Sequence, residues 1–265
     1  LPAVLAACGI ATVSNGAESI GPKFGATHRK VLRSAGIDVD LSPDQAAEQL
    51  ADPAVGWAYV DHRFSCPSLH ELAELRTRIV KRPCLTTLEV LLGPVRGRSR
   101  THLLTGYVHK PYPPVYTALA RESGYASAMI VRGVEGGVIP SLNQPSKLFV
   151  YQGDELDNEV RLDPSDYGIS ATVRSVPLPK IIPAGDSGDE IMTALDPDAL
   201  AAFSAEAGLQ GLAGVDGPVR DSLVYGAALC LCQLGLASNT IDASEKVRSV
   251  LDSGEAARRF EAAIQ

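Results

Sequence analysis

Seven basic residues fall between Arg76 and Arg100: Arg76, Arg78, Lys81, Arg82, Arg96, Arg98 and Arg100, with Glu89 as the one acidic residue among them. Guanidinium forks match the oxygens of phosphate, diphosphate and carboxylate groups in pairs. Such a run can hold one of those anions or a nucleic-acid backbone, and it equally suits a solvated helix end and loop. A second candidate is RGVEGG, Arg132 to Gly137, which follows the apolar stretch Ala126 to Val131. Arg132, Gly133 and Glu135 would stand beyond the carboxyl end of a strand, where open α/β sheets take ligands. A third is the loop NGAESIGPKFG, Asn15 to Gly25, between a short apolar stretch and a helix start. Its backbone N–H groups and Lys23 can cradle phosphate. It carries neither the GK[ST] of a P-loop nor the GxGxxG spacing. His109, beside Lys110 after a strand, occupies a ligand position, and His62 follows Asp61 in the same way. No GxSxG nucleophile motif is present, so serine-hydrolase chemistry has no support.

The elements that must position these residues centre on Leu103 to Leu142. Leu103 to Gly106 reads as a buried strand and His109 to Pro114 as a loop. A helix is expected from Val115 to Ser123, then a strand from Ala126 to Val131, which together make a βαβ unit. Upstream, the pattern predicts a helix over Pro2 to Cys8, a strand over Ile10 to Val13 and a helix over His28 to Ala35 capped by Thr27. Ser42 and Pro43 start a helix that runs to about Leu50. Gly56 to Val60 reads as a strand. Ser68 to Ile79 reads as an amphipathic helix with Leu69, Leu72, Leu75 and Ile79 on one side, and Cys84 to Leu92 as a further helix. Downstream, Ser146 to Gln152 and Glu159 to Asp163 form a hairpin, LDPSDYGI a capped turn, and Arg174 to Asp189 an extended connection. Helices are expected over Pro197 to Ala207, Pro218 to Leu236, Ser244 to Leu251 and Glu255 to Ile264. The order implies one α/β domain over residues 1–265, a three-layer arrangement with a central, mostly parallel mixed sheet flanked by helices.

Composition narrows the function classes. The 265 residues are 45% hydrophobic and 21% charged, which is globular rather than disordered. A net charge of −7 argues against a wholly basic nucleic-acid module, and 5% aromatic residues argue against a base-stacking surface. Five cysteines, Cys8, Cys66, Cys84, Cys230 and Cys232, include no CxxC pair. They are expected to be reduced thiols of a cytoplasmic protein, and no metal site is expected from them. The apolar opening LPAVLAACGIATV is too short to span a bilayer, so no membrane partner is expected.

Several segments, in order, resemble the anthranilate phosphoribosyltransferase family of the nucleoside phosphorylase/phosphoribosyltransferase superfamily. GIDVDLSPDQAAEQL (Gly36 to Leu50), LEVLLGPVRG (Leu88 to Gly97) and GYVHKP (Gly106 to Pro111) resemble family segments. So do MIVRGVEGG (Met129 to Gly137), LDPSDYGI (Leu162 to Ile169) and the two closing helices, DSLVYGAALCLCQLG and VLDSGEAARRFEAAI. The resemblance implies an α/β domain with a smaller helical domain. Part of the helical domain, with a first phosphate loop, would lie upstream of Leu1. It implies a cleft for a ribosyl-phosphate-like anion lined by Asn15, Gly16, Lys23, Gly25, Cys66, Arg76, His109, Arg132, Gly133 and Glu135. Cys66 falls where the family has histidine, and Arg76 where it has arginine. The family's acidic pair, which holds Mg²⁺ on the diphosphate, falls on Val138 and Ile139. Aliphatic side chains supply no oxygen ligands, so Mg²⁺ is not expected at that place, and no other cofactor is implied. Transfer to anthranilate is not expected to survive unchanged. The expected partner is a phosphate-containing small molecule, with a homodimer as the assembly. The alternative is a catalytically inactive nucleic-acid binder using Arg78, Lys81, Arg82, Arg96, Arg98 and Arg100.

Overall fold

A computed structural model describes residues 1–18, 25–79, 84–179 and 196–264. Helix α1 (Pro2–Ala7) buries Ala3, Val4, Leu5 and Ala6. Strand β1 (Thr12–Gly16) starts two residues later than the apolar pattern predicts. The reason is local: the Ile10 N–H closes the end of α1 on the Leu5 carbonyl (2.9 Å), and pairing begins with the Thr12 N–H on the Gly56 carbonyl (3.1 Å). Asn15 and Gly16 therefore end a strand and do not open a loop. Helix α2 (His28–Ser34) is capped by the Thr27 hydroxyl, which accepts the Lys30 N–H. Helix α3 (Pro43–Ala51) begins in a reciprocal cap. Ser42 Oγ accepts the Gln45 N–H (3.3 Å) and Gln45 Oε1 accepts the Ser42 N–H (2.9 Å). Ser42→Ala is expected to cost about 1 kcal/mol, measurable as a drop of about 2–4 °C in a thermal melt.

Strand β2 (Trp57–Asp61) is buried along its whole length, as a strand covered on both faces requires. It pairs in parallel with β1, Thr12 opposite Trp57 and Gly16 opposite Asp61. Two one-turn helices follow, α4 (His62–Ser65) and α5 (Pro67–His70), then α6 (Ala73–Ile79) and α7 (Leu85–Glu89). The single amphipathic helix expected over Ser68 to Ile79 is thus broken in two. The Leu72 N–H turns back to the Leu69 carbonyl, a tight i−3 bond. Leu75 and Ile79 are exposed and Arg76 is buried, because α6 turns its arginine toward Glu89.

Strand β3 (His102–Gly106), helix α8 (Tyr112–Glu122) and strand β4 (Ser127–Val131) make the expected βαβ unit. The helix starts three residues earlier than predicted, since Pro113 and Pro114 fall in its first turn, where no N–H is required. Strands β5 (Ser146–Gln152) and β6 (Asn158–Leu162) form the hairpin. The order β3-β4-β5-β6 is parallel at its first pair and antiparallel at the other two. Asp163 caps the 3₁₀ turn Pro164–Tyr167. The helices α9 (Pro197–Leu212), α10 (Pro218–Gln233), α11 (Thr240–Asp252) and α12 (Glu255–Glu261) complete the described chain. The fold is mixed α/β with helices flanking sheets, and the strands lie in two sheets where the sequence pattern suggests one.

The chain divides into two compact units. The first comprises Pro2–Val95, Leu178–Ala213 and Gly254–Gln265. Its core joins Leu41, Ala46, Ala58 and Val60 with Val13, Leu50 and Val95. In the same unit Trp57 stacks on Phe260 of α12 and donates its indole N–H to the Arg259 carbonyl (3.0 Å). The second unit comprises Leu1, Arg96–Pro177 and Gly214–Ser253. It is built on β3 to β6 and on α10, in which Val224 to Leu231 are all buried. None of the five cysteines, all among the described residues, is in a disulfide. Among the described residues no helix is long and apolar enough to cross a membrane. The connection expected from Arg174 to Asp189 lies mostly outside the described residues.

Candidate functional site

In the first unit, the carboxyl ends of β1 and β2 carry the polar groups. Asn15 Nδ2 donates to the Leu92 carbonyl (2.6 Å), and its Oδ1 lies 3.4 Å from His62 Nε2. This fixes the end of β1 against the chain after α7. Gly16 sits under the Tyr59 ring, where a Cβ would stand 3.1 Å from the hydroxyl oxygen. Among the described residues the buried Tyr59 hydroxyl has no hydrogen-bond partner, and burial raises its pKa. His62 is pushed down to about 4 by burial, so its imidazole is neutral at pH 7. Gly25 is half-buried just ahead of the Thr27 cap, and Lys23 lies outside the described residues. Cys66 is half-buried at the junction of α4 and α5.

A network that the motif reading did not single out fixes this end of the sheet. Arg29 is 6% exposed at its side chain and meets Glu18 (2.8 Å), Asp40 (2.7 Å) and Asp61 (3.2 Å), of which Asp61 is 2% exposed. Its Nη1 also donates to the Val39 carbonyl (2.7 Å), and Arg63 pairs with Asp40. The sequence held one signal. Arg29 falls in the first turn of α2, where the helix dipole disfavours a cation, so a cation there needs carboxylates to hold it.

In the second unit, the carboxyl ends of β3 and β4 meet in glycines. A Cβ on Gly133 would stand 1.8 Å from the Gly137 carbonyl oxygen, and one on Gly106 would stand 2.2 Å from those of Gly136 and Gly137. The two loops are in backbone contact, which only glycine permits at these positions. Glu135 has φ of 52°, in the left-handed region, with its side chain exposed and 3.9 Å from Arg174. Arg132 is exposed at the end of β4. Its carbonyl accepts Ser146 Oγ (2.5 Å) and its N–H donates to the Lys147 carbonyl (2.8 Å). His109 is exposed, its ring tilted against Tyr112. Arg132, Gly133 and His109 are therefore presented by strand ends, as the sequence pattern predicts.

The basic run is split between the two units, Arg76 and Arg78 in the first and Arg96, Arg98 and Arg100 in the second. Arg76 is buried and paired with Glu89. Arg78 is exposed and paired with Glu74 (2.5 Å). Arg96 lies over the Tyr125 ring (4.2 Å to its centre) and donates to the Ser123 carbonyl (3.1 Å). Arg98 and Arg100 are exposed. Arg96 and Arg100, with Gly97, Ser99, Thr101 and Ser123, line an open cleft of about 360 Å³. Lys81 and Arg82 lie outside the described residues.

Parallel strand pairs whose carboxyl ends carry arginine, histidine and glycine-dense backbone define an α/β protein. Residues 1–257 match the glycosyl transferase family, a/b domain, and the chain belongs to that family. It is similar to the anthranilate phosphoribosyltransferase of Sphingopyxis alaskensis, 28% identical over 252 residues, which cover 95% of this chain and 68% of that enzyme. It is 24% identical to that of Nitrosomonas europaea, over 99% of this chain and 69% of that enzyme. The fold is anthranilate phosphoribosyltransferase-like. The enzyme from Thermus thermophilus aligns with a TM-score of 0.70 at 17% identity, over 99% of this chain and 70% of that one. The Saccharomyces cerevisiae enzyme in complex with PRPP and Mg aligns with a TM-score of 0.70 at 19% identity, over 99% of this chain and 67% of that one. The chain thus spans about two thirds of the length of these relatives.

The residues after the Gly136–Gly137 turn do not fit a magnesium ion. Val138 and Ile139 carry no oxygen donors. Ile139 instead lies against Gly226 of α10, where a Cβ would stand 2.5 Å from its Cδ1. Among the described residues no group of three His, Cys, Asp or Glu side chains is placed to hold a metal.

Proposed function

We propose that this glycosyl transferase family protein binds a phosphorylated ribosyl or nucleotide-like anion in the cytoplasm, without a metal at Val138 and Ile139. We further propose that anthranilate is not its acceptor. The binding residues in the first unit are Asn15, Gly16, Lys23, Gly25, Cys66 and Arg76. In the second they are His109, Arg132, Gly133 and Glu135. The observation that carries the reading is the close backbone contact of Gly133 with Gly137 beside the exposed Arg132. It leaves a glycine-lined strand end with an exposed guanidinium but no carboxylate pair. Charge on a diphosphate must then meet fixed cations and N–H groups in place of a metal.

Thermal protection tests it. Phosphoribosyl diphosphate at about 100 times its Kd should stabilise the chain by about 2.7 kcal/mol, a rise of several degrees in the melting temperature. No rise at millimolar ligand contradicts the reading. If a single-stranded oligonucleotide binds with a steep salt dependence and phosphoribosyl diphosphate does not bind, the function lies with Arg96, Arg98 and Arg100 instead.

A further inference from the structure

The cleft that Arg96 and Arg100 line lies at the amino ends of β3 and β4, since Thr101 precedes the first strand and Ala126 the second. All of its lining residues belong to the second unit. Gly106 ends β3 on the opposite side of the sheet, about 13 Å away at the rise of an extended strand. One wall of the cleft is the loop from Gly97 to Thr101. The Thr101 hydroxyl accepts the Gly97 N–H (2.9 Å), and a Cβ on Gly97 would stand 2.3 Å from the Arg100 carbonyl oxygen. The loop is thus closed tightly on itself, and a side chain at Gly97 would push it open. The N–H groups of Arg98, Ser99 and Arg100 have no partner among the described residues, and neither do the guanidinium groups of Arg98 and Arg100. The other wall is the end of α8, at Ser123 and Gly124. Arg96 bridges the two walls, donating to the Ser123 carbonyl (3.1 Å) with its guanidinium over the Tyr125 ring. The C-terminus of a helix carries about half a negative charge. Arg96 answers it, so the charge of Arg100 is left in excess. Among the described residues no carboxylate lines the cleft, in a chain whose net charge is −7.

We infer that this cleft is a second anion site, which takes the phosphate group of a small phosphorylated molecule. It lies at the other end of the strands from the donor site proposed above and does not depend on that reading. A phosphate group presents three strong acceptor oxygens. The loop has three unanswered N–H groups, the Ser99 hydroxyl and the Arg100 fork with which to meet them. A volume of about 360 Å³ holds a phosphate with a small attached group. A nucleic-acid backbone needs a track of several cations to bind well. The track is short here, because Arg76 and Arg78 belong to the first unit and each is already paired with a carboxylate. The occupant is therefore a molecule of metabolite size and not a strand.

The probe is inorganic diphosphate, titrated in EDTA into the isotope-labelled full chain while NMR reads the backbone amides residue by residue. The amides from Gly97 to Thr101 are expected to shift together and to saturate, with half-saturation at or below about 1 mM. Arg100→Glu is expected to weaken this binding by about tenfold or more. Gly97→Ala keeps every charge but drives a methyl against the Arg100 carbonyl, and is expected to weaken it by about fivefold or more. Shifts that stay linear up to about 10 mM overturn the inference. So does wild-type affinity in Arg100→Glu. Wild-type affinity in Gly97→Ala overturns it as well, since it would mean loose charge without a shaped site. A single-stranded oligonucleotide that moves the same amides at lower concentration than diphosphate, with a steep salt dependence, overturns it in favour of a strand surface. The titration of the unaltered chain needs no variant, so a misfolded variant leaves it decisive. The two sites fail separately. Phosphoribosyl diphosphate that leaves the amides from Arg132 to Gly137 unmoved sinks the donor reading, and diphosphate that leaves those from Gly97 to Thr101 unmoved sinks this inference.

Discussion

Arg29→Ala is expected to destabilise the first unit by about 3–5 kcal/mol, because it strands a buried charge. Asp61 is 2% exposed, and without Arg29 its carboxylate keeps the Arg63 N–H (2.9 Å) as its partner among the described residues. The other two carboxylates contribute less, since Glu18 is 40% and Asp40 is 53% exposed and water screens them. They give the network its pH dependence. Burial opposes ionisation of both, but Arg29, helped by Lys30 and Arg33 at Glu18 and by Arg63 at Asp40, outweighs it and holds both carboxyls below their ordinary values of 4.5 and 3.8. A carboxyl whose pKa is depressed by folding stabilises the fold above its unfolded pKa and loses that contribution as pH falls through the folded one. The wild-type chain should therefore lose stability as pH falls below about 4.5, and Arg29→Ala should lose less over the same range. Denaturant titrations of both proteins at pH 7 and in acid measure this. Equal stability at pH 7 would contradict the network.

Gly133→Ala is expected to cost about 3 kcal/mol or to displace the loop from Arg132 to Gly137. The new methyl would stand 1.8 Å from the Gly137 oxygen, 2.5 Å from its carbonyl carbon and 2.9 Å from the Ile139 oxygen. All three are backbone atoms, so no side chain can turn aside. The Val134 N–H bond to the Ile139 carbonyl (3.0 Å) closes the same loop and would be lost with it. Gly106→Ala drives a methyl against the same Gly137 oxygen from β3 (2.2 Å). The double variant should therefore cost less than the sum of the two, since one displacement of Gly137 relieves both. Phosphoribosyl diphosphate affinity should fall with the displacement in each single variant. A Gly133→Ala chain with wild-type melting temperature and affinity would show that the contact does not hold the loop.

Local rules made much of the fold legible. The caps at Thr27, Ser42 and Asp163, the βαβ unit from β3 to β4 and the hairpin of β5 and β6 all follow from short-range chemistry that the sequence displays. What failed depended on partners distant in sequence. The leucine pattern of Ser68 to Ile79 promised one helix, yet the Arg76–Glu89 pair sets which face of α6 turns inward. The basic run looked like one patch because charge was counted along the chain. In space its members serve different carbonyls, carboxylates and rings. The site was partly legible. Gly133 and Arg132 announce themselves through RGVEGG, and Glu89 stood out as the lone acid in the basic run. Arg29, Asp40 and Tyr59 did not, because their meeting depends on how β1, β2 and α2 come together.

The central claim is that this chain binds a ribosyl-phosphate-like anion through fixed cations and backbone N–H groups, with no metal at Val138 and Ile139. Calorimetric titration of the intact chain with phosphoribosyl diphosphate, in EDTA and then in excess Mg²⁺, tests it most directly. The account predicts heat in both, with affinities within about threefold of each other. Binding that appears only with Mg²⁺, or no heat in either at millimolar ligand, would contradict it.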